Sequence, residues 1–133
     1  MKLFEVATPS EADIVKLAAE FKKEYDGPAG EDEWGDTLSV CASEHGNCSM
    51  VSSTFIDWLK ARGISSRFIS GQGAINKKWA ETPRHHDEGD GHTAVRIGST
   101  VVDFTARQFD KKFPIPRIYD VGDFDSEWKD VDD

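Results

Sequence analysis

The chain has few cysteines, no long apolar segment and no cluster of positive charge. Two cysteines in 133 residues are too few for the disulfide framework of a small secreted domain. No run of about 18 apolar residues is present, so we expect no membrane-spanning helix. The N-terminal stretch MKLFEVATPSEAD lacks the apolar core of a signal peptide, which favours a cytoplasmic protein or one exported by a route that the sequence does not show.

The net charge of −9 argues against nucleic-acid binding, because phosphate contacts require clustered Lys and Arg side chains. Much of this charge lies in the last fourteen residues, DVGDFDSEWKDVDD, which hold seven acidic side chains and one lysine. We therefore expect a single domain over residues 1–119 and an acidic tail over 120–133 that is solvated and partly disordered. The alternative is that Phe124 and Trp128 dock the tail on the domain or on a basic partner.

Two helices are predicted in the first half of the chain. Residues 8–25 begin with a T-x-x-E capping box that starts at Thr8, with Pro9 at the first helical position. An apolar stripe follows at helical spacing: Ile14, Leu17, Ala18, Phe21 and Tyr25. The second helix is expected to begin at Asn47 or Cys48 and to end near Arg62, with Gly63 as the left-handed residue beyond its end.

The segment GHTAVRIGSTVVDFTARQF, residues 91–109, is predicted to form a β-hairpin with Gly98 and Ser99 as a two-residue turn. In that register His92 and Asp103 are diagonal neighbours on one face, about 7–8 Å apart. A three-residue loop would instead place them on opposite faces. With a further short strand at 65–70, the order of elements predicts an α+β domain with an antiparallel sheet.

Cys48, His92 and Asp103 are the candidate catalytic residues. A thiol at a helix N-terminus has a lowered pKa, and a neighbouring histidine can accept its proton. A carboxylate can then orient the imidazole and stabilise its charged form. Each residue has a simpler interpretation: a small buried cysteine, a structural histidine and a carboxylate at a strand bend. A carboxylate within an apolar strand needs a partner, however, so the three together favour a catalytic set.

Two segments resemble the papain-like superfamily in its transglutaminase-like branch. GNCSMVSSTFIDWLKARGI is similar to the G-x-C-x-x-x-S helix of that branch, and the hairpin resembles its H-x-x-V…D-x-T-x-x-Q-F block. The resemblance covers roughly residues 45–109. It implies a transglutaminase-like (papain-like) core whose central helix carries the cysteine and packs on a small antiparallel sheet. It also implies Cys48 as nucleophile, His92 as general base and acid, and Asp103 as the orienting carboxylate.

Three further residues are candidates for supporting roles. The glutamine that papain places shortly before its cysteine is missing from the stretch CASEHGN. The second oxyanion donor is therefore open, with Asn47 as a candidate beside the backbone N–H of Cys48. Gln108 is expected to support the hairpin or border the site, or to be a surface residue. Thr105 lies opposite His92 in the predicted register and is expected to shape its surroundings.

These features predict a cysteine-dependent amide hydrolase or acyl transferase that needs no cofactor and acts on a peptide or protein amide. Peptide cleavage, deamidation and transamidation all fit the residues. One alternative is the same fold used only as a protein-binding module. Another is a metal site at Cys41, His45 and Cys48, which lacks the paired cysteines usual in structural zinc sites. Two polar loops, 27–47 and 74–91, are expected to flank the site.

Overall fold

The structure, a computed structural model, describes residues 8–25, 48–76, 91–106, 109–110 and 112–133. Its helices are α1 (Glu11–Tyr25), α2 (Cys48–Lys60) and α3 (Val121–Glu127). Its strands are β1 (Arg67–Gly71), β2 (Gly73–Ala74), β3 (His92–Ile97), β4 (Thr100–Asp103), β5 (Arg117–Asp120) and β6 (Trp128–Lys129). The predicted α+β class is confirmed. In the described part of the chain, no helix has the length and apolar character needed to cross a membrane.

A four-stranded antiparallel sheet in the order β1-β3-β4-β5 forms the centre of the fold. Strands β3 and β4 pair in the predicted register, with Ile97 opposite Thr100 and Val95 opposite Val102. Gly98 has a φ of 61°, a left-handed conformation that glycine adopts without the strain a Cβ would add. The two-residue turn is therefore confirmed, and with it the assignment of side chains to faces.

The predicted start of α1 is wrong. The helix begins at Glu11, and the hydroxyl of Ser10 accepts a hydrogen bond from the backbone N–H of Asp13 at 3.2 Å. Ser10 is thus the N-cap, because its short side chain satisfies one of the unpaired donors of the first turn. Thr8 instead lies against the hairpin turn, where its Cγ2 is 2.7 Å from the position that a Cβ on Gly98 would occupy.

The end of α2 follows the prediction. Gly63 has a φ of 76°, and the backbone N–H groups of Gly63 and Ile64 donate to the carbonyls of Lys60 and Leu59, each at 3.0 Å. This pair of hydrogen bonds is the Schellman motif, which satisfies the last carbonyls of a helix.

Helices α1 and α2 cover one face of the sheet. Their apolar stripes meet side chains of β3 and β4 in a core that contains Ile14, Ala18, Phe21, Val51, Phe55, Trp58, Leu59, Val95, Ile97, Val102 and Phe104. The ring of Phe21 lies 4.8 Å from that of Phe55 and 5.1 Å from that of Phe104, so aromatic contacts join both helices to the sheet. Through this core α2, the predicted cysteine helix, packs against a small antiparallel sheet.

The opposite face is covered by the C-terminal segment, which comprises residues 121–133. Phe124 is 0% exposed and Trp128 is 2% exposed, and both join a second core with Ile69, Ala74, Ala94, Val101 and Phe109. The expectation of a solvated, partly disordered tail is therefore corrected in favour of docking. The reason is that Phe124 of α3 and Trp128, the first residue of β6, are both buried against the sheet, while Asp123 and Asp125 of α3 are exposed. Asp120 caps the helix by accepting from Gly122 N at 2.8 Å.

The C-terminal segment also runs along the outer edge of β1. Strand β6 pairs with β2, with Trp128 opposite Ala74. Further along, the backbones of Ser70 and Asp132 exchange two hydrogen bonds of 2.8 Å. These bonds cover part of an edge strand that would otherwise present unpaired backbone groups, and they hold Trp128 beneath the start of β3.

Candidate active site

His92 and Asp103 form a buried, hydrogen-bonded pair. His92 is the first residue of β3 and Asp103 the last of β4, and the hairpin register puts both side chains on the same face. His92 Nε2 lies 2.6 Å from Asp103 Oδ2, and each residue is 3% exposed. A short contact shielded from water fixes the orientation of the imidazole. The structure thus brings together two of the three predicted catalytic residues, while their catalytic roles stay predictions.

Thr105 holds the other oxygen of the same carboxylate. Asp103 Oδ1 accepts hydrogen bonds from the backbone N–H of Thr105 at 2.9 Å and from its hydroxyl at 3.3 Å. Both carboxylate oxygens therefore have partners, as a buried carboxylate requires. Thr105 was expected to shape the surroundings of His92, and the contact that the structure shows runs through Asp103.

Among the described residues, three aromatic side chains pack around the His92 ring. The ring centroid of Phe109 lies 4.8 Å away at an interplanar angle of 82°, and that of Trp128 lies 5.3 Å away at 30°. Phe124 follows at 6.5 Å and 22°. Aromatic faces attract a positive charge, so this packing offsets part of the cost of burying a protonated imidazole. It also prevents the ring from turning away from Asp103.

Cys48 is the first residue of α2, and its side chain lies outside the part of the chain that the structure describes. The helix start is tied to β3, because Ser52 Oγ donates to the carbonyl of Thr93 at 3.4 Å. A pocket of about 250 Å³ lies between the two elements and the end of β1. It is lined by Ser49, Ser70, Gly71, Gln72, Gly91, His92 and Thr93. The pocket lining therefore includes residues from the start of α2 and from the start of β3, while the His92 ring itself packs against Trp128 on the other face of the sheet.

Charged groups on β5 and α3 surround the far side of Asp103. Arg117 is the cross-strand partner of Asp103, and its guanidinium donates to both oxygens of Glu127 at 2.8 and 2.7 Å. Burial lowers the pKa of Arg117, but the hydrogen bond to Glu127 and nearby negative charges, including Asp103, outweigh it and raise the pKa on balance. Arg117 therefore stays charged, pairs with Glu127 and lies close enough to Asp103 to interact with its charge.

Tyr119 lies beside this ion pair. The guanidinium carbon of Arg117 is 3.8 Å from the centroid of the Tyr119 ring. The phenolic oxygen is buried and has no hydrogen-bond partner within the described ranges. Burial raises the pKa of Tyr119, and the negative charge of Asp103 raises it further. Tyr119 is thus a neutral neighbour of the His92–Asp103 pair.

Several predicted residues lie outside the described part of the chain. They are Asn47 and Gln108, expected to support the site, and Cys41 and His45, which with Cys48 formed the alternative metal site. No cluster of three potential metal ligands occurs among the residues that the structure describes. Since Cys41 and His45 are not among them, the metal hypothesis stays an untested alternative.

Two groups of residues at this site were not predicted to lie beside His92 or its pocket. Phe109, Phe124 and Trp128 surround the histidine, and Gln72 lines the pocket. The two large aromatic side chains of Phe124 and Trp128, in an otherwise acidic segment, were a usable signal for docking. Gln72 follows a strand and offered no such signal, because its position depends on how β1 pairs with β3.

Comparison with known proteins agrees with this geometry. A family model for the transglutaminase-like superfamily matches residues 4–105, which is more than half of the chain. No curated protein matches the chain, and no solved structure does. The matched range includes the cysteine helix, the hairpin and the His92–Asp103 pair, and it ends before the C-terminal segment. The chain therefore belongs to the transglutaminase-like superfamily.

Proposed function

We propose that this protein is a cysteine-dependent amide hydrolase or acyl transferase that works through a Cys48 thioester. The observation that carries the proposal is the buried His92–Asp103 hydrogen bond of 2.6 Å, in a hairpin whose His92 lines one pocket together with Ser49, the neighbour of Cys48 at the start of α2. Membership of a superfamily that suggests this kind of activity supports it. We further propose a cytoplasmic location, where a catalytic thiol stays reduced.

Because Nε2 of His92 is held by Asp103, the proposed proton transfer uses the other ring nitrogen. In the proposed reaction Nδ1 takes the proton of the Cys48 thiol, and the sulfur attacks the carbonyl carbon of an amide. A C–S bond forms and the carbonyl electron pair moves to oxygen. Collapse of this intermediate breaks the C–N bond, and the leaving amine takes the proton from the imidazolium.

The thioester is then resolved by a second nucleophile. Water gives hydrolysis and an amine gives transfer of the acyl group; in both, His92 accepts the proton of the attacking group and the C–S bond breaks. Asp103 keeps the imidazole oriented through both halves of the reaction and stabilises its charged form. A peptide or protein amide is the proposed substrate, with peptide cleavage, side-chain deamidation and transamidation as the three outcomes.

Thiol reactivity tests the proposal without a known substrate. The rate of alkylation by iodoacetamide is measured from pH 4 to 9, with mass spectrometry to separate Cys48 from Cys41. Fast alkylation of Cys48 at pH 6 is expected in the parent. We expect a fall of about 100-fold in His92→Ala, because a thiol with a pKa of about 8.5 is almost fully protonated at pH 6. Asp103→Asn is expected to fall less.

Cys41 is the internal control for reagent access and for the ordinary behaviour of a thiol. Urea unfolding of each variant shows whether a loss of rate reflects a loss of structure. If Cys48 titrates like a free thiol whatever residue stands at position 92, the catalytic proposal is wrong. The fold would then be used for binding only.

A further inference from the structure

The proposed reaction places negative charge on the carbonyl oxygen of the substrate, and that oxygen needs donors at fixed positions. Such donors contribute much of the catalysis in acyl transfer. The backbone N–H of Cys48 is one candidate from its place at the helix start. The inference of a second donor rests on the proposed function. The candidates for this donor are the polar groups that line the pocket beside His92.

Gln72 is placed at this pocket by the pairing of β1 with β3. Gly71 lies opposite His92 and Ser70 lies opposite Thr93 in that ladder. Paired residues share a face, and neighbouring residues alternate. The side chains of Ser70 and Thr93 therefore lie on the face toward α2. Gln72 follows at the bend between β1 and β2, and it lines the same pocket as Ser70 and Thr93.

The other polar side chains on the strands already have partners. Ser70 Oγ and Thr93 Oγ1 lie 3.1 Å apart in a hydrogen bond. The side chain of Gln72 makes no hydrogen bond with any described residue, and it is exposed to the pocket. Its carboxamide carries two N–H donors and no charge, so it can donate to an oxyanion without changing the charge balance around the thiol.

The backbone that carries Gln72 is held firmly. Its N–H donates to the carbonyl of Lys129 at 2.8 Å, and the N–H of Ile75 donates to the carbonyl of Glu127 at 3.0 Å. A donor on a fixed backbone loses less conformational freedom when the charge develops, which is the condition for preorganised stabilisation. We propose that the side-chain amide of Gln72 is the second oxyanion donor, a catalytic residue in the pocket between β1 and α2.

Two reagents separate this role from thiol activation. Iodoacetamide alkylates the thiolate by displacement at a saturated carbon, so no oxyanion forms. Acylation by p-nitrophenyl acetate proceeds through a tetrahedral oxyanion, and the release of p-nitrophenolate and the acetyl group on Cys48 are both measurable. We expect Gln72→Met, which keeps a similar length but has no N–H donor, to lower acylation about 100-fold, the lower end of the range for one lost donor. Alkylation is expected to keep the parent rate.

The matched control is Ile75→Ala. Ile75 is 50% exposed and lies three residues beyond Gln72, outside the lining of the pocket, so both rates are expected to match the parent. Ser49→Ala and Asn47→Ala test the two competing donors. The proposal is overturned if either of them, rather than Gln72→Met, loses acylation selectively. It is also overturned if Gln72→Met acylates at the parent rate, or if it slows both reactions equally.

The failure of this proposal is distinguishable from the failure of the proposed function. A parent protein whose Cys48 shows no enhanced alkylation contradicts the thioester mechanism itself. A parent with a reactive thiol, together with a Gln72→Met variant that acylates normally, leaves the mechanism standing and removes only Gln72 from it.

Discussion

Replacement of Gly71 by alanine is expected to disturb the contact that holds the C-terminal segment beneath His92. A Cβ built on Gly71 would lie 2.3 Å from Trp128 Cβ and 2.7 Å from Trp128 Cγ. Neither atom is the far end of a flexible side chain, so rotation of Trp128 about its outer bonds cannot relieve the overlap. Either β1 or the C-terminal segment must shift. Because Trp128 packs at 5.3 Å from the His92 ring, the shift would reach the candidate site.

The expected magnitude follows from two opposing effects. Overpacking of a close-packed interior costs about 1–3 kcal/mol, and we expect the upper end because the clash is with atoms near the backbone. Loss of glycine flexibility in the unfolded chain stabilises by about 0.4–1 kcal/mol. The free energy of unfolding should therefore fall by about 2 kcal/mol. With a slope of about 1–3 kcal/mol per molar urea, the urea midpoint should fall by about 1 M.

Gly73→Ala is the matched control for this prediction. The nearest atom to a Cβ at Gly73 is Lys129 Cδ at 3.9 Å, an ordinary contact with a flexible side chain. This variant should unfold at the parent urea concentration or slightly above it. Equal midpoints for the two alanine variants would refute the reasoning, because they would show that the space between Gly71 and Trp128 is not closed.

Three further substitutions test the surroundings of Asp103, each by urea unfolding. Tyr119→Phe removes an unpartnered buried hydroxyl and should leave stability at pH 7 equal or higher. The folded state raises the pKa of Tyr119. The parent should therefore lose stability above pH ~10, where the Tyr119 phenol ionises in the unfolded chain, and the variant should lose less. An identical loss of stability in both proteins at alkaline pH would contradict this. Thr105→Val removes the 3.3 Å hydrogen bond from the hydroxyl to Asp103 but keeps the bond from the backbone N–H. The free energy of unfolding should fall by about 1 kcal/mol. A fall of more than about 3 kcal/mol would show that the hydroxyl has another role. Arg117→Met leaves Glu127 without its two hydrogen bonds and should cost about 2 kcal/mol, less than a fully buried pair because both side chains keep some exposure; full stability would show that the pair contributes nothing.

The local features of the fold were predictable from the sequence because neighbouring residues determine them. Gly98 permits the tight turn, and the alternation of β3 and β4 then decides that His92 and Asp103 share a face. Gly63 ends α2 for a similar reason. The start of α1 was missed because Thr8 and Ser10 are both good caps, and the choice between them depends on the contact of Thr8 with the hairpin turn.

Non-local features were not predictable in the same way. The acidic composition of residues 120–133 correctly indicates a charged surface, but composition does not show which side chains of a short helix turn inward. The pairing of the C-terminal segment with β1 and β2 joins residues more than fifty positions apart, such as Ser70 and Asp132. A register of that kind depends on tertiary packing, since neither strand carries a pattern that selects the other.

The C-terminal segment supports both sides of the candidate site, although it lies beyond the range that the family model matches. On one side Trp128 and Phe124 pack on the His92 ring. On the other, the carbonyl of Lys129 fixes the backbone of Gln72. The charge and the packing of this segment are therefore separate properties: exposed acidic side chains account for its charge, while two aromatic rings and a few backbone bonds form its contacts with the site. The orientation of the imidazole thus depends on Asp103 from within the family core and on aromatic rings from outside it.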